Sequence, residues 1–373
     1  MSGLREVQFR GQSSGSMTPV RIRVSAPGKV ILMGEHSAVY GGPALVAALG
    51  RRVWAELTAG GSEVELDLKT LGHQEQCSWQ KIIDYREEKG RAWSEFDSAA
   101  GGASFDEVRG SDPAHVVKIA LGEVACDLDV VSMPPVRLVV DSEIPVGSGF
   151  GSSAAVAVVV VAACLRLLGG GSNADRIARL VLEVERRQHG HPSGVDHSAV
   201  LHGGILRVDR GGSVTRIRVA DWVQRDLILL DTGTPAEPTG EVVAAVRRRK
   251  ESNEKEFSLL LERMQSNVGE FENILGTSQP ETAALQRVIG GFERCLEGLQ
   301  VVPTRVRERI RALEEIGAAA KVSGAGSLSG SAAGCLLVYR PREIGAEVSE
   351  LLADYRSVEG SIGVEGLCFE EAV

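Results

Sequence analysis

The segment Pro145-Val-Gly-Ser-Gly-Phe-Gly-Ser-Ser-Ala-Ala155 concentrates residue types that can hold an anion. Gly147, Gly149 and Gly151 remove every second Cβ, so backbone N–H groups can converge on one point. A helix starting just after them would add its unpaired N–H groups and the positive end of its dipole, which together make a phosphate site. Ser152 and Ser153 contribute hydroxyls able to reach a phosphate oxygen or Mg²⁺. The spacing is neither G-x-x-x-x-G-K-[ST] nor G-x-G-x-x-G, which argues against a Walker loop and a dinucleotide fingerprint. The same residues also suit a tight turn ahead of a small-residue packing helix, and the segment alone leaves both readings open. Asp196 is a second candidate. In Pro192-Ser-Gly-Val-Asp196 a turn can hold a short carboxylate rigidly, although a merely turn-capping Asp uses the same pattern.

Such residues need a scaffold. Alternation in Val20–Val24 predicts a strand, with further strands at Arg52–Leu57, Glu63–Leu68 and Val136–Val140. Residues 84–113 mix charges with Ser, Gly and Ala and read as a surface excursion with partial helix. Ala114–Cys126 reads as helix. After the glycine-rich turn, a small-residue helix runs to Leu168. Its valines at 158–161 favour strand by propensity, but length and flanking alanines favour a buried helix. Ser172 and Asp175 suggest a capping box for the next helix, whose Ile177, Leu180, Val181 and Val184 follow helical spacing to a breaker at His189-Gly-His-Pro. Beyond residue 215 come a strand at Leu227–Leu230, charged helical stretches over 240–265, 281–300 and 303–318, a turn at Gly324–Gly334 and a strand at Cys335–Tyr339. Strands and helices alternate without a repeat, which predicts an α+β protein of two domains, 20–215 and 216–373, behind a flexible tail 1–19.

Composition excludes several classes. With 373 residues, 24% charged and a net charge of −9, the chain reads as globular and as a poor nucleic-acid binder. Its longest apolar run, Ala154–Leu165, falls short of the ~20 residues that span a bilayer. Six cysteines with no C-x-x-C pair suit a reducing compartment and predict a cytoplasmic protein, the cysteines buried or incidental.

Three segments in order resemble the GHMP kinase family, the small-molecule kinases that include galactokinases, homoserine kinases and mevalonate kinases. They are Ser25-Ala-Pro-Gly-Lys-Val-Ile-Leu-Met-Gly-Glu-His-Ser-Ala-Val-Tyr-Gly41, the glycine-rich turn, and His189-Gly-His-Pro-Ser-Gly-Val-Asp-His197 with Gly203-Gly204 after it. The first and third are closest to the mevalonate kinase versions: Ala38-Val39 stand where galactokinases usually carry Asp-Tyr, and His36 where phosphomevalonate kinases tend to carry Tyr. The resemblance, from about residue 20 to 340, implies a ribosomal-S5-like N-terminal domain and a ferredoxin-like C-terminal domain with ligands in the cleft between. It implies transfer of the γ-phosphoryl group of ATP to the C5 hydroxyl of mevalonate. Asp196 would take the hydroxyl proton, and Lys29 beside it would favour the ionised carboxylate and developing alkoxide. Glu185 and Ser153 would bind Mg²⁺. Gly147, Ser148, Gly149, Gly151, Ser152, Ser153, Gly324 and Gly326 would surround the ATP phosphates. Lys29, His36, Ser193 and Asp196 would surround the alcohol, with a neutral or cationic His36 ring on its carboxylate or C3 hydroxyl. The family is often dimeric, so the resemblance allows a homodimer, although no periodicity in this chain marks a dimer interface.

Two departures stand out. Lys321-Val-Ser-Gly-Ala-Gly326 opens like the family's third motif, but Ser-Leu-Ser-Gly-Ser-Ala-Ala-Gly then precedes Cys335 where a short polyglycine is usual, so the loop should close differently over phosphates. Gly290-Gly291-Phe292 replaces residues that are usually polar. They leave two rival readings: a catalytically weak GHMP-fold regulator, and a GHMP kinase acting on a sugar or phosphomevalonate. The joint presence of Lys29, Ser153, Glu185 and Asp196 favours an enzyme, and Gly-Glu-His-Ser-Ala-Val favours mevalonate.

Overall fold

The computed structural model describes residues 20–98, 105–128, 133–171 and 173–370; the expected tail 1–19 and Ser172 lie outside them. Two long antiparallel strands, β1 (Arg21–Met33) and β2 (Ala44–Ala59), start the chain, with register shifts at Pro27/Gly28 and Ile31/Met33. Both run further than alternation predicts, because Ala44–Leu49 is buried on both faces and shows no polar period. Then come β3 (Val64–Leu68), β4 (His73–Cys77), α1 (Trp79–Asp97), α2 (Phe105–Arg109), α3 (His115–Leu128) and β5 (Val136–Ser142). Next are α4 (Ser152–Leu167), α5 (Ala174–His189), α6 (Val195–His202), β6 (Ile205–Val208) and β7 (Val214–Arg216). The remainder is α7 (Trp222–Asp226), β8 (Leu227–Asp231), α8 (Thr239–Ser252), α9 (Glu254–Leu275), α10 (Thr282–Gly298), α11 (Thr304–Glu315), β9 (Ala319–Ser323), β10 (Cys335–Tyr339), α12 (Gly345–Leu351), β11 (Arg356–Ser357) and β12 (Cys368–Glu370).

These form an eight-stranded sheet in the order β12-β1-β2-β5-β3-β4, extended by β6 and β7, and a four-stranded sheet in the order β11-β8-β10-β9. Strand β12, near the end of the expected unit 216–373, pairs with β1, Val24 opposite Phe369, and Ile362 and Glu365 bridge to Leu49 and Gly203.

The expected surface excursion with partial helix at 84–113 carries most of α1 and all of α2, with 99–104 outside the described residues. Ser78 caps α1, its Oγ accepting from the Lys81 N–H at 3.2 Å. Helix α1 buries only Ile82 and Lys89, so its sequence carries no apolar stripe for a periodicity to reveal. Edge strand β4, His-Gln-Glu-Gln-Cys, escapes notice for the same reason. In α4 the four valines are fully buried. Burying each is worth ~1.5–3 kcal/mol, against a helix-propensity cost of at most ~0.7, so packing against β1, β2, α3 and α5 decides for helix. Helix α5 is capped by Asn173, whose Oδ1 accepts from the Arg176 N–H at 2.8 Å. All six cysteines are free, and Cys126 is exposed. No helix among the described residues is long and apolar enough to cross a membrane.

Candidate active site between the two sheets

A cleft of about 790 Å³ lies between the two halves, within the usual range for small-ligand sites. One wall is β1, the turn before α4, the end of α5 and the start of α6; the other is the 234–239 segment and Gly324-Ala325.

Lys29 Nζ lies 2.9 Å from Asp196 Oδ1, with the lysine buried and the carboxylate partly open to the cleft. Two features place them. The Lys29 N–H donates to the Phe150 carbonyl at 2.9 Å, tying β1 to the glycine-rich turn. Gly194, left-handed at φ 80°, starts α6 so that Asp196 falls in its first turn. Gly147, Gly149 and Gly151 are left-handed too. At Gly151 the requirement is also spatial, since a Cβ there would sit 2.5 Å from Lys29 Cγ.

The first turn of α4 and the end of α5 meet at Ser153, whose Oγ lies 3.0 Å from His189 Nε2. Burial lowers the His189 pKa, so the ring is neutral. Glu185 is buried, and its Oε2 accepts from His197 Nδ1 at 2.9 Å while its Oε1 is buried with no hydrogen-bond partner. An orphaned carboxylate oxygen is costly to bury unless a cation completes it. With Ser153 it offers the hard oxygen donors that suit Mg²⁺, so these residues fit that ion.

His36 has φ 58°, a conformation that costs about 1–3 kcal/mol in a non-glycine residue and collects at functional sites. Its Nε2 is 3.0 Å from the Ala325 carbonyl, an acceptor, so Nε2 carries the hydrogen. Burial drives its pKa down to about 4, leaving a neutral ring with Nδ1 as acceptor. Glu35 forms a fully buried ion pair with Lys321 of β9. Burial holds the Glu35 carboxyl above its ordinary range, against the pull of the Lys321 ammonium.

Of the expected phosphate-site residues, Gly147, Gly149, Gly151, Ser152, Ser153 and Gly324 line the cleft, as does exposed Ser193. Ser148 and Gly326 do not. The Ser148 hydroxyl is turned 3.2 Å from Asp231 Oδ2 to pin the turn to β8, and Gly326 is packed against the Val301 carbonyl. The long third loop is held by Glu237: Ser327 and Ser329 hydroxyls and the Leu328 N–H all donate to its carboxylate. Burial pushes that carboxyl up, but these donors hold it below its ordinary range. His189, His197, Glu237 and Lys321 carry no role in the sequence reading. Glu35 too carries no role there, because its burial and its Lys321 partner come from parts of the chain far apart in sequence. Behind the cleft-lining Asp112, His73 and Glu75 come with it within metal-binding reach of one another, but Lys118 Nζ sits 2.6 Å from both carboxylates and takes the cation's place.

Residues 115–204 match the family described as GHMP kinases N terminal domain. The mevalonate kinase of Thermococcus onnurineus is 30% identical over 95% of this chain and 100% of its own. That of Pyrococcus horikoshii is 30% identical over 94% and 98%. The chain belongs to the GHMP kinases, among the mevalonate kinases. The Methanococcus jannaschii mevalonate kinase structure, 18% identical, superposes with a TM-score of 0.68 over 92% of this chain and 98% of its own, which shows the shared fold. In this GHMP kinase the matched segment 115–204 carries the glycine-rich turn, Ser153, Glu185 and Asp196, while Lys29, His36 and the third loop lie outside it.

Proposed function

We infer that this chain is a mevalonate kinase that transfers the γ-phosphoryl group of ATP to the C5 hydroxyl of mevalonate, giving 5-phosphomevalonate and ADP. The observation that carries the reading is the Lys29–Asp196 pair, at 2.9 Å, opening into the cleft beside the glycine-rich turn.

Phosphoryl transfer needs in-line placement and charge neutralisation more than covalent help. Backbone N–H groups of the 147–151 turn and the head of α4 receive the phosphates. Asp196 Oδ1 is held by Lys29, so Oδ2 accepts the proton of the attacking hydroxyl, and the ammonium stabilises the alkoxide as it forms. Glu185 and Ser153 would hold Mg²⁺, which would offset charge on the phosphate oxygens. His197 orients Glu185, and His189 orients Ser153. His36, neutral and with Nε2 committed to Ala325, accepts a mevalonate hydroxyl at Nδ1; it has no second N–H for the carboxylate. Free cysteines support a reducing compartment, the cytosol.

Coupled ADP release with MgATP and, in parallel, mevalonate, phosphomevalonate and galactose tests this. Turnover on mevalonate alone is expected, with Asp196→Ala lowering kcat by about 10²–10⁴ while leaving MgATP binding unchanged. Turnover on another acceptor, or none on any, refutes it.

A further inference from the structure

Four carboxylates line the cleft, Glu35, Asp112, Glu185 and Asp196, against two Lys or Arg side chains among the described residues, Lys29 and Arg109. Lys29 is paired with Asp196, Glu35 with Lys321, Asp112 with Lys118, and Glu185 is hydrogen-bonded to His197. Arg109 has no ion pair or hydrogen bond to any described residue, although it is only partly exposed. A triphosphate entering this cleft brings several negative charges into a lining that is already net acidic. The Lys29 charge is largely committed to Asp196, and the His36 ring is neutral. Among the described residues the cleft thus holds one uncommitted cation, and it is a guanidinium, whose planar fork of donors matches phosphate oxygens.

Its placement is fixed from both sides. Helix α2 sits against both halves of the molecule, with Phe105 wedged between Gly190 at the end of α5 and Gly240 at the head of α8. A Cβ on Gly190 would lie 3.3 Å, and one on Gly240 2.6 Å, from the Phe105 ring. Phe96 packs on the same ring at 5.3 Å between centroids. The end of α2 is tied down as Lys89 Nζ donates to the Glu107 carbonyl at 2.9 Å and the Gly110 N–H to the Asp106 carbonyl at 2.7 Å. Arg109 thus lines the same cleft as the glycine-rich turn and Ser153.

We propose that Arg109 is a nucleotide-binding residue that donates to the phosphate tail of ATP beside the glycine-rich turn. The proposal deepens the kinase reading and rests on it. The test uses the full chain and its Arg109→Ala and Arg109→Lys variants. Steady-state kinetics are measured for both substrates, with calorimetric binding of MgATP, adenosine and inorganic tripolyphosphate. Arg109→Ala is expected to weaken MgATP and tripolyphosphate binding about ten- to a hundredfold, with the mevalonate KM, adenosine binding and melting temperature unchanged. Arg109→Lys should recover part of the loss, because the charge remains without the fork. MgATP and tripolyphosphate affinities within twofold of the parent in Arg109→Ala overturn the proposal. So does an equal loss for MgATP and adenosine, or a fall in melting temperature that Arg109→Lys does not repair, since either marks a packing role. Failure of the parent chain to phosphorylate mevalonate would sink the kinase reading, and the tripolyphosphate comparison would still decide Arg109.

Discussion

His36 shows how one side chain's chemistry follows from its surroundings. The Ala325 carbonyl fixes the tautomer and burial fixes the charge, with a pKa near 4, so the ring stays neutral and unchanged from about pH 5 upward. The mevalonate KM should therefore show no inflection near pH 6.5 from this residue. His36→Phe, which keeps the ring volume and removes the acceptor, should raise the mevalonate KM about tenfold or more while leaving the ATP KM unchanged. An inflection near 6.5 that disappears in His36→Phe would refute the neutral-ring account. At this scale the sequence was informative where motifs carry chemistry: Lys29, Glu185 and Asp196 stand in motifs and converge on the cleft. It was uninformative where a side chain's direction decides. Ser148 and Ser153 look alike in the chain, yet one hydroxyl points to Asp231 and the other to His189.

The glycine-rich turn works by omission. At Gly151 a methyl group would occupy the space of the Lys29 stem, 2.5 Å from Cγ, in a backbone with φ 76°. Gly151→Ala should therefore displace Lys29 from Asp196 as well as strain the turn. We expect kcat to fall at least a hundredfold, with a loss of about 1–2 kcal/mol in stability from the left-handed backbone alone; denaturant unfolding and kinetics measure both. Unchanged kcat would mean that the turn yields without moving the lysine. Helices α4 and α5 were legible because their apolar positions are continuous or evenly spaced, whereas α1 and β4 face water along most of their length and leave no periodic mark. The longer third loop was visible as a length anomaly. That Glu237, far away in sequence, would hold it is a tertiary fact no local pattern encodes.

Across the whole molecule the two sheets are joined by a charged bond in a dry place. Glu35 follows β1 and Lys321 lies in β9, and both are buried. Removing one partner strands the other charge, so Lys321→Met should cost about 3–5 kcal/mol in denaturant unfolding, and adding Glu35→Gln should recover much of it. An additive double variant would contradict that coupling. Glu293 of α10 is buried nearby, with Oε2 accepting from the Val322 N–H at 2.9 Å and Oε1 unpaired. Burial raises its pKa from 4.5 to about 8. Between those values the folded chain binds more protons than the unfolded one, so stability declines as pH rises, by at most about 1.4 kcal/mol per pH unit from this group. Glu293→Gln should flatten that slope between pH 5 and 8; parallel slopes for parent and variant would show that the carboxyl is ionised throughout. The two-sheet arrangement was legible in the alternation of strands and helices, but the return of β12 to β1 was not, because a three-residue strand has too few positions to show a period. That return has a consequence for folding. The β1 edge at Arg23–Ser25 is covered only by Cys368–Glu370, a segment far along the chain, so any partly folded state in which that segment has not docked leaves the edge bare. Such a state presents an unpaired strand, a template for aggregation that the docking of β12 removes.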